Sequence, residues 1–139
     1  MVTFDINYWA VLVAAVVSFL AGWLWYSKSL FGKAWTKLQG VTEKQMQEAH
    51  KKAMGPKMLA GFLSTVVMSF VMAHVVDAFA AETVASGLQA GFWMWLGFVA
   101  PVMLGMVLWQ DKSFKLYLID VGHYLVALLI MGVILAAWI

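Results

Sequence analysis

Residues 7–27 read NYWAVLVAAVVSFLAGWLWYS, and no charged side chain interrupts this apolar run. A helix needs about 20 mostly apolar residues to cross the hydrocarbon core of a bilayer. Three further runs meet this condition, at residues 56–79, 87–109 and 116–138. The sequence therefore predicts an all-α membrane protein in which four transmembrane helices form one domain over residues 1–139.

The composition of the chain supports this class. It has 139 residues, of which 64% are hydrophobic and 12% are charged. Soluble domains are nearer half apolar and a quarter charged, and a soluble chain this short could not bury so much apolar surface. The sequence contains no cysteine, which excludes disulfides, thiolate metal sites and cysteine nucleophiles.

The basic residues are all lysines, and they lie in two of the predicted connections. Most follow the first span, Lys112 and Lys115 precede the fourth, and the connection between the second and third spans carries Glu82 instead. The positive-inside rule places both lysine-bearing connections in the cytoplasm and both termini outside it. Because the lysines flank spans and form no dense basic face, nucleic-acid binding is not expected.

The aromatic residues near span ends are interpreted as membrane-interface anchors. Tryptophan favours the interface because its ring is apolar while its N–H reaches water or headgroups. We prefer this interpretation to a cofactor site, and no cofactor is predicted. The predicted anchors are Trp9, Trp93, Trp95 and Trp138 near outer ends, and Trp23, Trp25, Tyr26, Trp35 and Trp109 near inner ends.

A short amphipathic helix is predicted over residues 42–55. Thr42 and Gln45 have the spacing of a capping box, and Gly55–Pro56 is predicted to end this helix and begin the next. The helix is predicted to lie on the cytoplasmic membrane surface, with packing against a partner as the alternative. Its apolar face is formed by Met46, Ala49 and Ala53.

Small residues recur at every fourth position of two spans, a spacing that lets membrane helices approach closely. The rows are Ala10, Ala14, Ser18 and Gly22 in the first span, and Gly61, Thr65, Ser69 and Ala73 in the second. One interpretation is contact within a single bundle. The other places the row of the first span against another subunit and predicts a homo-oligomer. In the third span, Pro101 predicts a kink.

Four ionisable side chains lie within the predicted spans. His74 and Asp77 are three residues apart in the second span, and Asp120 and His123 are three apart in the fourth, so each pair shares a helix face. A charge at the bilayer centre costs about 2.5–3.5 kcal/mol or more, which favours a functional role. Each pair is predicted to form a carboxylate–imidazole hydrogen bond. The alternative is a structural clamp near the interface.

The two pairs are predicted to lie near opposite membrane faces. Counting ~1.5 Å per residue from the inner ends places His74 ~27 Å and His123 ~10 Å along their helices. That separation argues against a metal site or a haem shared by the pairs. The pairs and the hydroxyls between them could form a proton or ion path. The hydroxyls of that path are Ser18, Thr65 and Ser69.

Two functions remain open. The first is passage of protons, ions or small solutes through an oligomer, and the second is a non-catalytic membrane module that binds lipid or a partner protein. No arrangement of nucleophile, base and orienting residue is evident, so an enzyme is not predicted. A dry core would favour the second function, whereas a continuous wet path would favour the first.

Several short motifs resemble those of a bacterial family known as domain of unknown function 1761. GWLWYS (22–27) followed by LFGKAW (30–35) resembles its first-helix signature. GFWMWLGF (91–98) is similar to its third-helix segment, and LYLID (116–120) with GHY (122–124) is similar to its fourth.

The resemblance implies a small membrane protein of the bacterial cytoplasmic (inner) membrane with about four helices. It implies no activity, since the family is named for lacking one. It directs attention to the motif residues Trp25, Tyr26, Trp35, Trp95, Asp120 and His123.

Overall fold

The computed structural model describes residues 2–40 and 42–138, and in this part of the chain all regular structure is helical. Four helical segments are long and apolar enough to cross a membrane, which confirms the predicted multi-pass all-α class. These segments are Tyr8–Trp25, Met54–Ala78, Val84–Leu108 and Phe114–Ala137. The helices are α1 (Tyr8–Trp25), α2 (Gly32–Leu38), α3 (Glu43–Ala78), α4 (Val84–Phe98), α5 (Ala100–Met103), α6 (Gly105–Leu108) and α7 (Phe114–Ala137).

The chain turns sharply between α1 and α2. α1 starts where the Asn7 side chain accepts hydrogen bonds from the backbone N–H groups of Trp9 and Ala10, and it ends at Trp25. α2 then folds back against the end of α1. A side chain at Gly32 would overlap the carbonyl oxygens of Tyr26 and Ser27, so glycine permits this close approach.

α3 is a single helix of 36 residues, about 54 Å long, and it includes the predicted amphipathic segment. The capping box of Thr42 and Gln45 is present, but the predicted break at Gly55–Pro56 is wrong. Pro56 removes one backbone hydrogen bond, whereas a break at the membrane would leave several backbone groups unpaired. Continuity is therefore the less costly solution. The predicted apolar face of Met46, Ala49 and Ala53 lies outside the described side chains.

The third span is interrupted where Pro101 predicts a kink. α4 ends at Phe98, α5 begins at Ala100, and Val99 between them departs from helical geometry with φ −116° and ψ −57°. Pro101 has no N–H to donate to the carbonyl of Gly97, so the backbone ladder is broken at this turn.

α7 is the central helix and packs against α1, α3 and α4. Its closest neighbour is α4, because side chains at Gly87, Gly91 or Gly132 would overlap the facing backbone. α1 runs antiparallel to α7, because the Ser18 hydroxyl donates to the carbonyl of Ala127 over 3.3 Å and the later Trp25 donates to the carbonyl of the earlier Ile119. The glycines thus allow backbone contact of the kind that small residues give in membrane bundles.

The small-residue row of α1 faces the interior of this bundle. Ala10, Ala14 and Ser18 are at most 1% exposed, and Gly22 lies against His123 of α7. The interpretation that this row contacts another subunit is therefore wrong, because helices of the same chain already cover it.

Charge is distributed unevenly along the bundle axis. The lysines that follow α1 and precede α7 share one end, since Trp25 bonds to Ile119 there. At the other end the Asp5 N–H donates to the Asp77 carboxylate over 3.4 Å, and Glu82 lies in the adjacent turn. We call these the lysine end and the acidic end.

Candidate functional site

The Asp120 carboxylate accepts two hydrogen bonds on one oxygen at the lysine end. The Tyr26 hydroxyl donates to Oδ1 over 2.6 Å, and the Trp35 indole N–H donates to the same atom over 3.0 Å. Tyr26 follows α1, Trp35 lies on α2, and Asp120 is on α7. We call these three residues the Asp120 cluster, and it ties three elements together through one half-buried carboxylate.

Two further indoles bond to the same turn of α7. Trp25 donates to the carbonyl of Ile119 over 2.9 Å, and Trp95 donates to the carbonyl of Val121 over 2.8 Å. Both indoles are half-buried. Their N–H groups therefore serve helix packing, because they find partners within the protein instead of at the headgroups.

The structure corrects the anchor interpretation for part of the aromatic set. Trp25, Tyr26, Trp35 and Trp95 bond to α7 or to its Asp120 side chain. Trp93 and Trp95 also lie about 14 and 17 Å along the helix from Val84, well away from its outer end. The remaining predicted anchors are exposed at or near helix ends. They are Trp9, Trp23, Trp109 and Trp138.

The Tyr26 phenol is held in its protonated form. Burial, and then the hydrogen bond and negative charge of Asp120, raise the pKa of Tyr26 well above its ordinary value. Ionisation would remove the hydrogen that Tyr26 donates and place two negative charges side by side. The phenol therefore remains a donor to Asp120.

His123 does not bond to Asp120, so the predicted carboxylate–imidazole pair is absent from this part of the described chain. The Asp120 carboxylate instead accepts from Tyr26 at the end of α1 and from Trp35 on α2. The imidazole instead packs beside Tyr26, with ring centroids 5.2 Å apart, and its Nε2 edge faces Gly22. Nδ1 is buried and has no hydrogen-bond partner among the residues that the structure describes.

The imidazole lines a groove of about 310 Å³ between α1, α3 and α7, which we call the His123 groove. Its walls are mainly apolar, with Phe19, Met58 and Met68 among them. A few polar groups interrupt them. The polar lining residues are Ser18, Tyr26, Ser64, Thr65, His123 and Tyr124, and the glycines Gly22 and Gly61 also line the groove.

The predicted pair on the second span is also absent. His74 Nδ1 lies 2.8 Å from the carbonyl of Phe70, one turn earlier, and its ring packs against those of Phe4 and Phe70. Asp77 instead accepts the Asp5 N–H at the acidic end and lines a groove of about 690 Å³. In the described structure, each of the two side chains therefore has a backbone partner instead of the other side chain.

The three hydroxyls of the predicted ion path all donate hydrogen bonds to backbone carbonyls. Ser69 donates to the carbonyl of Val11 over 2.8 Å, Ser18 donates to Ala127, and Thr65 donates to the carbonyl of Gly61. Ser18 and Ser69 are fully buried. Among the described residues, Ser18 and Ser69 therefore join helices, and Thr65 bonds within α3, so all three hydroxyls already donate their hydrogens to backbone carbonyls.

Sequence reasoning missed two parts of this site. Gly22 was assigned to a packing row, whereas it makes the space for His123. Tyr117 was not singled out, although its hydroxyl donates to the carbonyl of Ala100 over 2.7 Å beside the Pro101 interruption. Pro101 frees the carbonyl of Gly97, whereas the carbonyl of Ala100 also accepts from the Leu104 N–H, so no local signal in the sequence indicates this contact.

A family model described as protein of unknown function (DUF1761) matches residues 9–136. The chain belongs to this family. Searches of curated proteins and of solved structures returned no match. In this DUF1761 protein, the motif residues converge on α7 and build the Asp120 cluster and the adjoining His123 groove.

Proposed function

We propose that this protein is a non-catalytic membrane module that holds a lipid-like amphiphile in the His123 groove. The observation that carries the proposal is a mainly apolar groove with the imidazole of His123 in its lining. Ligand sites in proteins are commonly concave, mostly apolar and furnished with a few polar groups. The Asp120 cluster has a supporting role, because it fixes α2 and the end of α1 beside the groove.

A molecule from the bilayer is the expected occupant. The groove lies between three helices that are long and apolar enough to span a membrane, and exposed Trp23 and Met58 lie on its rim. Its entrance therefore faces lipid when the chain is inserted. A lipid-like molecule can enter sideways without leaving the hydrocarbon.

Ion transport has less support in a single chain. The hydroxyls of Ser18, Thr65 and Ser69 donate to backbone carbonyls, and His74 and His123 lie toward opposite ends of the bundle. The lipid-binding module needs one chain only, so it does not depend on the homo-oligomer that the sequence predicts. It also needs no covalent chemistry, and that the protein is not an enzyme stays a prediction.

The proposed setting is the bacterial cytoplasmic membrane, with both termini outside the cytoplasm. The support is electrostatic: the lysines gather at one end of the bundle, and Asp5, Asp77 and Glu82 lie at the other. The positive-inside rule places the lysine end in the cytoplasm. In this orientation the Asp120 cluster lies toward the cytoplasmic side.

Native mass spectrometry tests the proposal. The full chain would be reconstituted in nanodiscs of total bacterial lipid extract and released intact into the spectrometer. Wild type should retain a lipid-mass adduct. Gly61→Trp should lose it, because Gly61 is exposed and lines the groove. Gly97→Trp is the matched control, since nothing lies within 4 Å of the side-chain position there.

Loss of the adduct in Gly61→Trp but not in Gly97→Trp would support a lipid-like occupant of the groove. No adduct on wild type, or equal adducts on both variants, would overturn the proposal.

A further inference from the structure

Among the described residues that line the groove, His123 carries the buried side-chain polar atom that finds no hydrogen-bond partner. Ser18 and Thr65, which also line the groove, both donate to backbone carbonyls. His123 Nδ1 is buried without a partner in the part of the chain that the structure describes, and burying a polar atom without a hydrogen bond costs free energy. This inference rests on the function proposed above and specifies the ligand.

The orphan nitrogen indicates which tautomer is favoured. A neutral imidazole carries one N–H and one bare nitrogen. A buried N–H without an acceptor is rarer in proteins than an under-used acceptor, so the bare lone pair belongs at Nδ1. The proton is then assigned to Nε2, which lies beside Gly22, and both His123 and Gly22 line the groove. His123 thus offers a hydrogen-bond donor to the groove.

The groove also offers an acceptor. The Thr65 hydroxyl donates its hydrogen to the carbonyl of Gly61 over 2.9 Å, which leaves its oxygen lone pairs free to accept. Thr65 and His123 line the same groove. A ligand hydroxyl matches both groups, because a hydroxyl accepts and donates at the same time.

Charge argues against an anionic ligand head. Asp120 lies one helical turn from His123, and its carboxylate binds the Tyr26 hydroxyl beside the imidazole ring. A carboxylate or phosphate at His123 would therefore stand near an existing negative charge. His123 also lies about 14 Å along α7 from Phe114, which is deeper in the membrane than a charged headgroup is expected to lie.

The volume of the groove favours a ligand with a single hydrocarbon chain. A volume of about 310 Å³ is near the lower end of ligand sites, which span roughly 300–1,000 Å³. We propose that the His123 groove binds an uncharged long-chain alcohol, whose hydroxyl accepts from His123 and donates to Thr65. The chain of the alcohol lies along the apolar walls of Phe19 and Met68.

Equilibrium binding of radiolabelled 1-hexadecanol to the full chain in phosphatidylcholine nanodiscs tests this assignment. Competitors of equal chain length would be hexadecanoate, hexadecyltrimethylammonium and hexadecane. The alcohol should bind at least tenfold more tightly than any competitor. His123→Phe keeps an aromatic ring without its N–H and should weaken alcohol binding about tenfold, while hexadecane binding stays unchanged.

Thr65→Val provides a second test, because this near-isosteric change on a half-buried residue leaves the core intact even if His123→Phe fails to fold. It should weaken alcohol binding severalfold. Equal affinity for all four probes, with binding lost in Gly61→Trp, would overturn the alcohol assignment and leave the proposed function standing. If wild type shows no saturable binding, or if Gly61→Trp still binds as wild type does, both the alcohol assignment and the proposed function are overturned.

Discussion

His123 occupies the space that a side chain at Gly22 would need. A Cβ atom added at Gly22 would lie 2.5 Å from His123 Nε2 and 3.2 Å from Cδ2, although the two residues are on different helices. The imidazole can therefore reach the groove wall only because position 22 has no side chain. This pairing links the small-residue row of α1 to the candidate ligand site.

Gly22→Ala should destabilise the protein and weaken ligand binding together. The added methyl group must displace the imidazole, and overpacking of this kind costs about 1–3 kcal/mol. The better helix propensity of alanine offsets up to about 1 kcal/mol of that cost. Thermal denaturation in detergent should show a lower Tm, and hexadecanol binding should weaken in the same preparation.

The matched control is Gly61→Ala on the opposite wall of the groove. Its added Cβ would meet only Phe19, at 3.7 Å, which is ordinary van der Waals contact. Its Tm should stay unchanged or rise. Equal Tm changes in the two variants would show that the limited space beside His123 is not the cause of the lower Tm of Gly22→Ala.

Tyr26 should resist ionisation in the folded protein. Its pKa lies above the ordinary value of 10.0, so between that pH and its folded pKa the folded chain keeps a proton that the unfolded chain has released. This group contributes fully to stability below about pH 10, and the contribution is lost progressively above it. Subtracting the ultraviolet titration of Tyr26→Phe from that of wild type should give no phenolate signal near pH 10.

Asp120→Asn keeps an acceptor for Tyr26 but removes the neighbouring charge. The pKa of Tyr26 should fall in this variant while remaining raised, because burial is the largest cause of the shift. An ordinary titration for Tyr26 in folded wild type would contradict the hydrogen bond to Asp120.

The spans were predictable because hydropathy reports the environment of a whole segment. Four apolar runs and Pro101 predict four spans and an interruption without any knowledge of contacts. The course of α3 through Gly55–Pro56 was not predictable in this way. Local propensity favours a break there, whereas the cost of unpaired backbone groups near the membrane favours continuity.

The site was only partly predictable because side-chain partners are set by packing between helices. Spacing alone pairs Asp120 with His123, yet Tyr26 and Trp35 reach the carboxylate first. Those donors are about 85–94 positions away along the chain, beyond any helical periodicity. Family motifs identified the participants, but only the fold determined which of them bond.

The contact between α4 and α7 should depend on glycine. A side chain at Gly132 would overlap the backbone of Gly87, so Gly132→Ala must separate the two helices or distort them. We expect a loss of about 1–3 kcal/mol, measured by reversible unfolding in mixed micelles. Gly97→Ala is the control, because open space surrounds that position. Equal stability of the two variants would contradict this close packing.

Orientation can be tested with single cysteines, since the sequence contains none. Ser29→Cys and Lys112→Cys lie at the lysine end, whereas Thr3→Cys and Glu82→Cys lie at the acidic end, and all four positions are exposed. A membrane-impermeant maleimide should label the first two in inside-out vesicles and the last two in right-side-out vesicles. The reverse pattern would place the Asp120 cluster on the outer side.

Proteoliposomes should show no proton or ion flux above empty liposomes if the module only binds a lipid-like ligand. Asp120→Asn should lower the stability of the protein, because it weakens charge-assisted bonds from Tyr26 and Trp35, each worth about 1.5–3 kcal/mol. Asp77→Asn should have a small effect, since exposed Asp77 accepts one long bond of 3.4 Å. Neither substitution should change the background flux. Flux in wild type that either substitution lowers, with the protein still folded, would instead establish the carboxylates as part of a translocation path and displace the binding proposal.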